Sequence, residues 1–156
     1  LGKLLENNAW EGIKMSGTIV KTRWHLWVVG GLSLLWNGFG CFDFTMTATH
    51  NTAYLASYPQ EMLDYWFDMP VWSWALWAIG VFGGLLGSVA LLMRKRLAVG
   101  LFLASLLAAT VSMVMGYFDK NAPRMEGAEL FPLIIMGIAV FLVVYARWLS
   151  RRDVLR

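Results

Sequence analysis

The chain has 156 residues, of which 58% are hydrophobic, 15% aromatic and only 15% charged, against about 25% charged in an average soluble domain. With a mean hydropathy of +0.57, a soluble fold of this length would leave much apolar surface facing water, because small folds bury only about two-thirds of what they could expose. Disorder, a soluble enzyme and a disulfide-stapled secreted module are thereby excluded; an integral membrane protein remains, and the net charge of +3 has to be read from where the basic residues fall.

Residues 1–22 form an N-terminal segment carrying Lys3, Lys14 and Lys21. Met15-Ser16-Gly17-Thr18 ahead of Lys21 and Arg23 has the look of a natural start before a first membrane helix. Residues 1–14 then read as an expression remnant, an upstream extension or a short amphipathic cytoplasmic helix, and no small-residue cleavage site marks a signal peptide.

Four stretches without acidic residues, Lys or Arg follow: Trp24–Phe42 (19 residues), Met69–Met93 (25), Leu97–Phe118 (22) and Leu130–Ala146 (17). Roughly 20 apolar residues cross a hydrocarbon core of about 30 Å as a helix, whereas a membrane β-barrel would alternate polarity in pieces of about ten. The expected fold is an all-α membrane protein, a four-helix bundle with spans at about 24–44, 69–93, 97–118 and 130–147, and a basic tail at 148–156.

The segments before span one, between spans two and three (Arg94-Lys95-Arg96) and after span four hold 11 of the 13 basic residues. The opposite side holds only Lys120 and Arg124, and seven of the ten acidic residues. Basic residues mark the cytoplasmic face, so both termini are expected there, and the basic groups read as topology anchors rather than a nucleic-acid surface. Trp24, Trp27 and Trp148 at one boundary, with Tyr65, Trp66, Trp72, Trp74 and Tyr117 at the other, fit interfacial belts.

Between spans one and two, Ser57-Tyr58-Pro59-Gln60 has the pattern of a helix start, with Ser57 as N-cap and Gln60 reaching back. Met62, Leu63, Trp66 and Phe67 then share one face, and Glu61, Asp64 and Asp68 the other. This predicts an interfacial, periplasmic amphipathic helix. It serves either as a lid on the bundle or as an acidic face that attracts a cation or partner.

Polar groups inside spans usually face the bundle interior and mark function. Span one is richest: Ser33, Asn37, Gly40 and Phe44 share a stripe, and Trp36, Gly40, Asp43, Thr47 and His50 an adjacent one if the helix continues outward. Asn37, Asp43, Thr47 and His50 are therefore the candidate polar path or cation site, the alternative being a solvated boundary Asp43 followed by a turn. In span two, Gly80, Gly83, Gly84 and Gly87 form overlapping small-xxx-small pairs, and span three offers Ser105, Ala108, Ser112 and Gly116. Such residues let backbones approach closely, so these eight are expected to pack spans two and three as a hairpin.

Several chemistries are absent. The one cysteine, Cys41, permits neither an intrachain disulfide nor a Cys-based zinc site. The two histidines would lie about 37 Å apart on a continuous helix, too far to share a haem. No phosphate-cradling loop, HExxH or nucleophile elbow occurs. No catalytic residue, metal or cofactor is expected.

Trp36-Asn37-Gly38-Phe39-Gly40-Cys41-Phe42-Asp43, Asn51-Thr52-Ala53-Tyr54-Leu55, the acidic-aromatic run through Trp66 and Pro70, Trp77-Ala78-Ile79-Gly80 and Gly83-Gly84-Leu85-Leu86-Gly87-Ser88 resemble a group of small bacterial inner-membrane proteins. Its members have similar length and four spans, and often carry the label "sugar transporter". The resemblance covers roughly residues 24–147; Asn37, Asp43 and Gly80–Gly87 match the recurrent pattern, with no ligand assigned to them. It implies a multi-pass protein of the bacterial inner membrane. With few polar groups in the spans, the favoured expectation is a non-enzymatic accessory or structural subunit, its partners being the bilayer and a larger membrane assembly or further copies of itself. The alternative is an oligomeric carrier of a sugar-like solute or a cation-coupled transporter.

Overall fold

The structure, a computed structural model, describes residues 24–123 and 130–156. The expectations for the N-terminal segment, and for Arg124, Glu126 and Glu129, lie outside the described residues. Within them the chain is helical: α1 (Trp24–Ala48), α2 (Thr52–Leu55), α3 (Gln60–Asp68), α4 (Val71–Leu92), α5 (Leu97–Phe118) and α6 (Leu130–Arg151). Helices α4, α5 and α6 are long and apolar enough to cross a membrane. Helix α1 is longer, at 25 residues, but its Trp, Asn, Gly and Thr side chains dilute its hydropathy and leave it outside that class.

The helices pack in a row, α1 on α4, α4 on α5 and α5 on α6. Close approach is set by glycines, because apolar side chains gain little from leaving lipid and helices pair through dispersion and interhelical hydrogen bonds. A Cβ at Gly87 would lie 2.8 Å from the Phe102 ring, and one at Gly83 would lie 3.4 Å from the Ser105 Cβ, so these two seat α5 against α4. Gly84 instead abuts Asn37 of α1, while Gly80 and Gly116 have nothing within 4 Å of such a Cβ. The close α4–α5 approach is therefore set at Gly83 and Gly87, with Ser105 also 3.4 Å from a Cβ at Gly84 and hydrogen-bonded to the Gly80 carbonyl. Gly30, on α1, makes a further close approach: its added Cβ would fall 2.5 Å from Leu92.

Helix ends explain where the boundaries depart from the hydropathy pattern. Helix α1 continues to Ala48, and along its last turns Thr45, Thr47 and Thr49 satisfy their hydroxyls on the carbonyls of Cys41, Asp43 and Thr45 (2.7–2.8 Å), each four residues back. It stops at His50, whose φ of 52° is left-handed, while Asn51 N–H donates to Met46 O at 3.0 Å in a Schellman closure. Arg94 (φ 60°) and Asp153 (φ 54°) end α4 and α6 the same way, with Lys95 N–H to Ala90 O at 2.8 Å and Val154 N–H to Leu149 O at 3.1 Å. Pro70 caps α4 from an extended conformation, φ −66° and ψ 153°, which places its start at Val71.

Residues 152–156 are not a free tail. Val154 and Leu155 are buried, and Arg156 exchanges backbone hydrogen bonds with the α4–α5 turn, donating to Arg94 O at 2.7 Å and accepting from Arg96 N–H at 2.9 Å. Arg94 and Arg96 each donate Nε to the carbonyls of Val154 and Leu155 at 3.2 Å. The core cluster (Leu26, Leu91, Ala98, Phe102, Leu142, Ala146, Leu149, Leu155) lies at this end of the bundle, called here the basic end. The opposite, acidic end carries α2, α3 and Asp119.

Candidate functional site

Ser33 and Asn37 lie one turn apart on α1 and face Ser88 and Gly84 on α4. The Ser33 and Ser88 hydroxyls are 2.5 Å apart, and Ser88 Oγ donates to the Gly84 carbonyl at 2.8 Å. Asn37 Nδ2 donates to Ser33 O at 2.8 Å and reaches Ser88 Oγ at 3.3 Å. A backbone carbonyl accepts only, which fixes Nδ2 toward α1 and turns Oδ1 onto Gly84. One helix turn on, Ser105 Oγ donates to Gly80 O at 2.6 Å, tying α5 to α4. These donors therefore already have partners within the bundle.

Toward the acidic end the row of helices opens. Helices α1 and α6 form no extended interface; they meet at the basic end, where His25 Nδ1 and the Tyr145 hydroxyl are 2.5 Å apart and the His25 ring lies 5.7 Å from Trp148. Beyond that contact lies a cavity of about 330 Å³ between α1, α4, α5 and α6. Its walls are apolar and aromatic, including Trp36, Phe39, Trp77, Phe102, Phe131 and Ile135; the polar side chains on it are Asn37, Asp43, Ser105 and Ser112.

Asp43 is the ionisable group on that lining. Its Oδ1 accepts from the Tyr54 hydroxyl at 2.6 Å and the Tyr58 hydroxyl at 3.4 Å, and the two phenols are 3.3 Å apart. Among the described residues no donor reaches Oδ2. Asn51 N-caps α2, accepting from Tyr54 N–H at 3.0 Å, and this turn folds the loop back so that Tyr54 reaches α1. Burial, then the hydrogen bond to Asp43, pushes the Tyr54 phenol well above its ordinary pKa. Rings continue round the mouth from Tyr58 to Trp66 (5.1 Å), Trp66 to Trp77 (6.2 Å) and Trp77 to Phe44 (5.2 Å).

Of the four expected polar-path residues, Asn37 and Asp43 share the cavity. The other two do not reach it. Thr47 is fully buried with its hydroxyl on the Asp43 carbonyl, and His50, past the helix end, stacks on Phe67 at 4.1 Å. Tyr54, Tyr58 and Ser88 are the partners that stripe reasoning missed; Ser88, four residues beyond Gly84 on the same face, was the readable signal. Glu61, Asp64 and Asp68 are exposed while Met62, Leu63, Trp66 and Phe67 are half-buried, so α3 is amphipathic in the expected sense. Its start differs: Ser57 donates to Tyr54 O at 3.1 Å, Pro59 precedes the first turn without a side-chain cap, and Gln60 binds Asp64 at 2.7 Å. Tyr65 fastens α3 to the end of α5 through Asp119 at 3.0 Å, and burial followed by that bond raises its pKa.

Among the described residues no group of three or more His, Cys, Asp or Glu could hold a metal ion. Comparison of the chain with protein-family models, curated proteins and solved structures finds no match.

Proposed function

We propose that the chain is a four-span, non-enzymatic protein of the bacterial inner membrane that serves as an accessory subunit of a larger membrane assembly. In this reading α1 is the first span, satisfied by its neighbours rather than by its own hydropathy. Both termini and the Arg94–Arg96 turn face the cytoplasm, and α3 lies along the periplasmic surface with its carboxylates outward. The resemblance to small four-span proteins labelled as sugar transporters fits this topology.

The observation that carries the reading is the distribution of polar groups. Ser33, Asn37, Ser88 and Ser105 bond within the bundle, and the basic half is closed by apolar side chains. Among the described residues no polar route therefore runs from end to end through one copy. Meanwhile α6 packs along one neighbour and exposes Leu133, Ile134, Val140, Phe141 and Val144, a face suited to another membrane helix.

Purification in mild detergent is expected to recover the chain in fixed stoichiometry with a larger complex. Gly137→Trp, at an exposed α6 position with nothing within 4 Å, should abolish co-elution while leaving the fold intact. A lone oligomer that moves sugar into liposomes would sink the subunit reading. A second reading, an oligomeric cation-coupled carrier, is favoured by the cavity that joins Asn37 and Asp43.

A further inference from the structure

We propose that the cavity is a binding site for an apolar-bodied organic cation, its ammonium seated at Asp43 and its hydrocarbon part between α1, α5 and α6. The site is independent of whether the chain belongs to a larger assembly, since co-elution and ligand binding are read separately.

Three observations point to this class. The first is size and lining. At about 330 Å³ with aromatic and aliphatic walls, the cavity falls within the range of roughly 300–1,000 Å³ that holds small ligands, whose usual lining is apolar with a few placed polar groups. The second is the state of those polar groups. Ser105 Oγ and Asn37 Nδ2 are already engaged by carbonyls and Asn37 Oδ1 is packed against Gly84, leaving Asp43 Oδ2 and the Ser112 hydroxyl as lining groups without a hydrogen-bond partner among the described residues. A polyol such as a sugar carries more hydroxyls than these two groups can bond and would bury the rest against apolar walls, which is costly.

The third is charge. Among the described residues Asp43 is the sole ionisable side chain of the lining, with no Lys, Arg or His beside it there, so an anionic group would meet repulsion from this carboxylate. Two phenols already hold Oδ1 and orient the carboxylate, leaving Oδ2 for a cation. Trp36 and Trp77 belong to the same lining, and indole rings attract ammonium groups through their quadrupoles. Such a cation could be a free amphiphile or the ammonium headgroup of a membrane lipid whose chain enters between α1 and α6.

The test uses the full chain in phosphatidylglycerol nanodiscs, with 4-phenylbutyltrimethylammonium as probe and tryptophan fluorescence as readout. The probe is expected to bind saturably, and its neutral carbon isostere, with a quaternary carbon in place of nitrogen, at least tenfold more weakly. Asp43→Asn should weaken the cation by tenfold or more and leave the isostere unchanged. Ala139→Phe, which fills the cavity from its α6 wall, should remove both. Equal affinity of probe and isostere for the unaltered protein would overturn the proposal even if Asp43→Asn failed to fold. So would a folded Asp43→Asn that binds within twofold of the parent. Phosphatidylethanolamine added to the discs identifies the source: competition with the probe assigns the site to a lipid headgroup, and its absence assigns it to a free cation.

Discussion

Gly84→Ala isolates the contact between α1 and α4. A methyl group there would overlap Asn37 Oδ1 and lie 2.8 Å from its Cγ, with Ser105 Oγ at 3.4 Å. The carboxamide would have to swing away and give up its bonds to Ser33 O and Ser88 Oγ. An interhelical hydrogen bond in a membrane protein is worth about 0.6 kcal/mol on average and up to about 1.7, and overpacking a filled site costs about 1–3 kcal/mol. Against this, alanine improves helix propensity by about 0.8–1 kcal/mol. The net expectation is a loss of about 1–3 kcal/mol, measured by unfolding in mixed micelles of mild detergent and dodecyl sulfate. Gly80→Ala on the same helix has open space around it, and should gain up to about 1 kcal/mol from propensity alone. In an Asn37→Ala background the obstructing group is gone, so Gly84→Ala should turn neutral or favourable. If Gly84→Ala and Gly80→Ala behave alike, or the cycle shows no coupling, the assignment of Gly84 to an α1–α4 contact fails.

Three further outcomes are expected. The Tyr54 phenol keeps its proton in the folded protein while an unfolded tyrosine ionises near pH 10. Unfolding therefore releases a proton above that pH and stability falls as pH rises; Tyr54→Phe should flatten the decline in alkaline thermal melts, and an unchanged slope would show that the Tyr54 phenol does not govern it. Asp153→Gly should stabilise by about 1 kcal/mol, because it relieves a left-handed residue at the loss of an Arg96 ion pair whose side chains are 60% and 79% exposed and worth about 0–1 kcal/mol. Destabilisation in chemical melts would mean that the pair outweighs the backbone. Tyr145→Phe should cost about 0.6–1.7 kcal/mol through the lost His25 bond, and also raise hydrogen exchange at the start of α1; protection equal to the parent would leave α1 and α6 held by packing alone.

Helical content and the course of α4, α5 and α6 were legible because long apolar runs have few other solutions. The extension of α1 to Ala48 was open in the sequence, where the span was expected to end near residue 44, because Asp43 and the threonines after it read equally as a boundary and a turn. The division of labour among the glycines was not. Gly80, Gly83, Gly84 and Gly87 look equivalent in the sequence, and which neighbour each one meets depends on how α1 and α5 are rotated around α4. Asn37 and Asp43 were found because a polar side chain in an apolar run stands out. Their partners were hidden for two different reasons: Ser88 looks like an ordinary small residue, and Tyr54 reaches Asp43 only because the short α2 turn reverses the chain. His50 was misplaced by extending a helical stripe two residues past its end.

The placement of the core has a mechanical consequence. Side chains interlock at the basic end, where residues 153–156 also lash the α4–α5 turn to α6, while the other half of the bundle is slotted between α1 and α6. Such a body has unequal stiffness along its length, like a peg sprung at one end. Lateral compression at the basic end meets close-packed atoms, whereas the same compression at the acidic end narrows the slot. In the proposed orientation, crowding in the outer leaflet would tighten the mouth beside Asp43 and thinning would spread it.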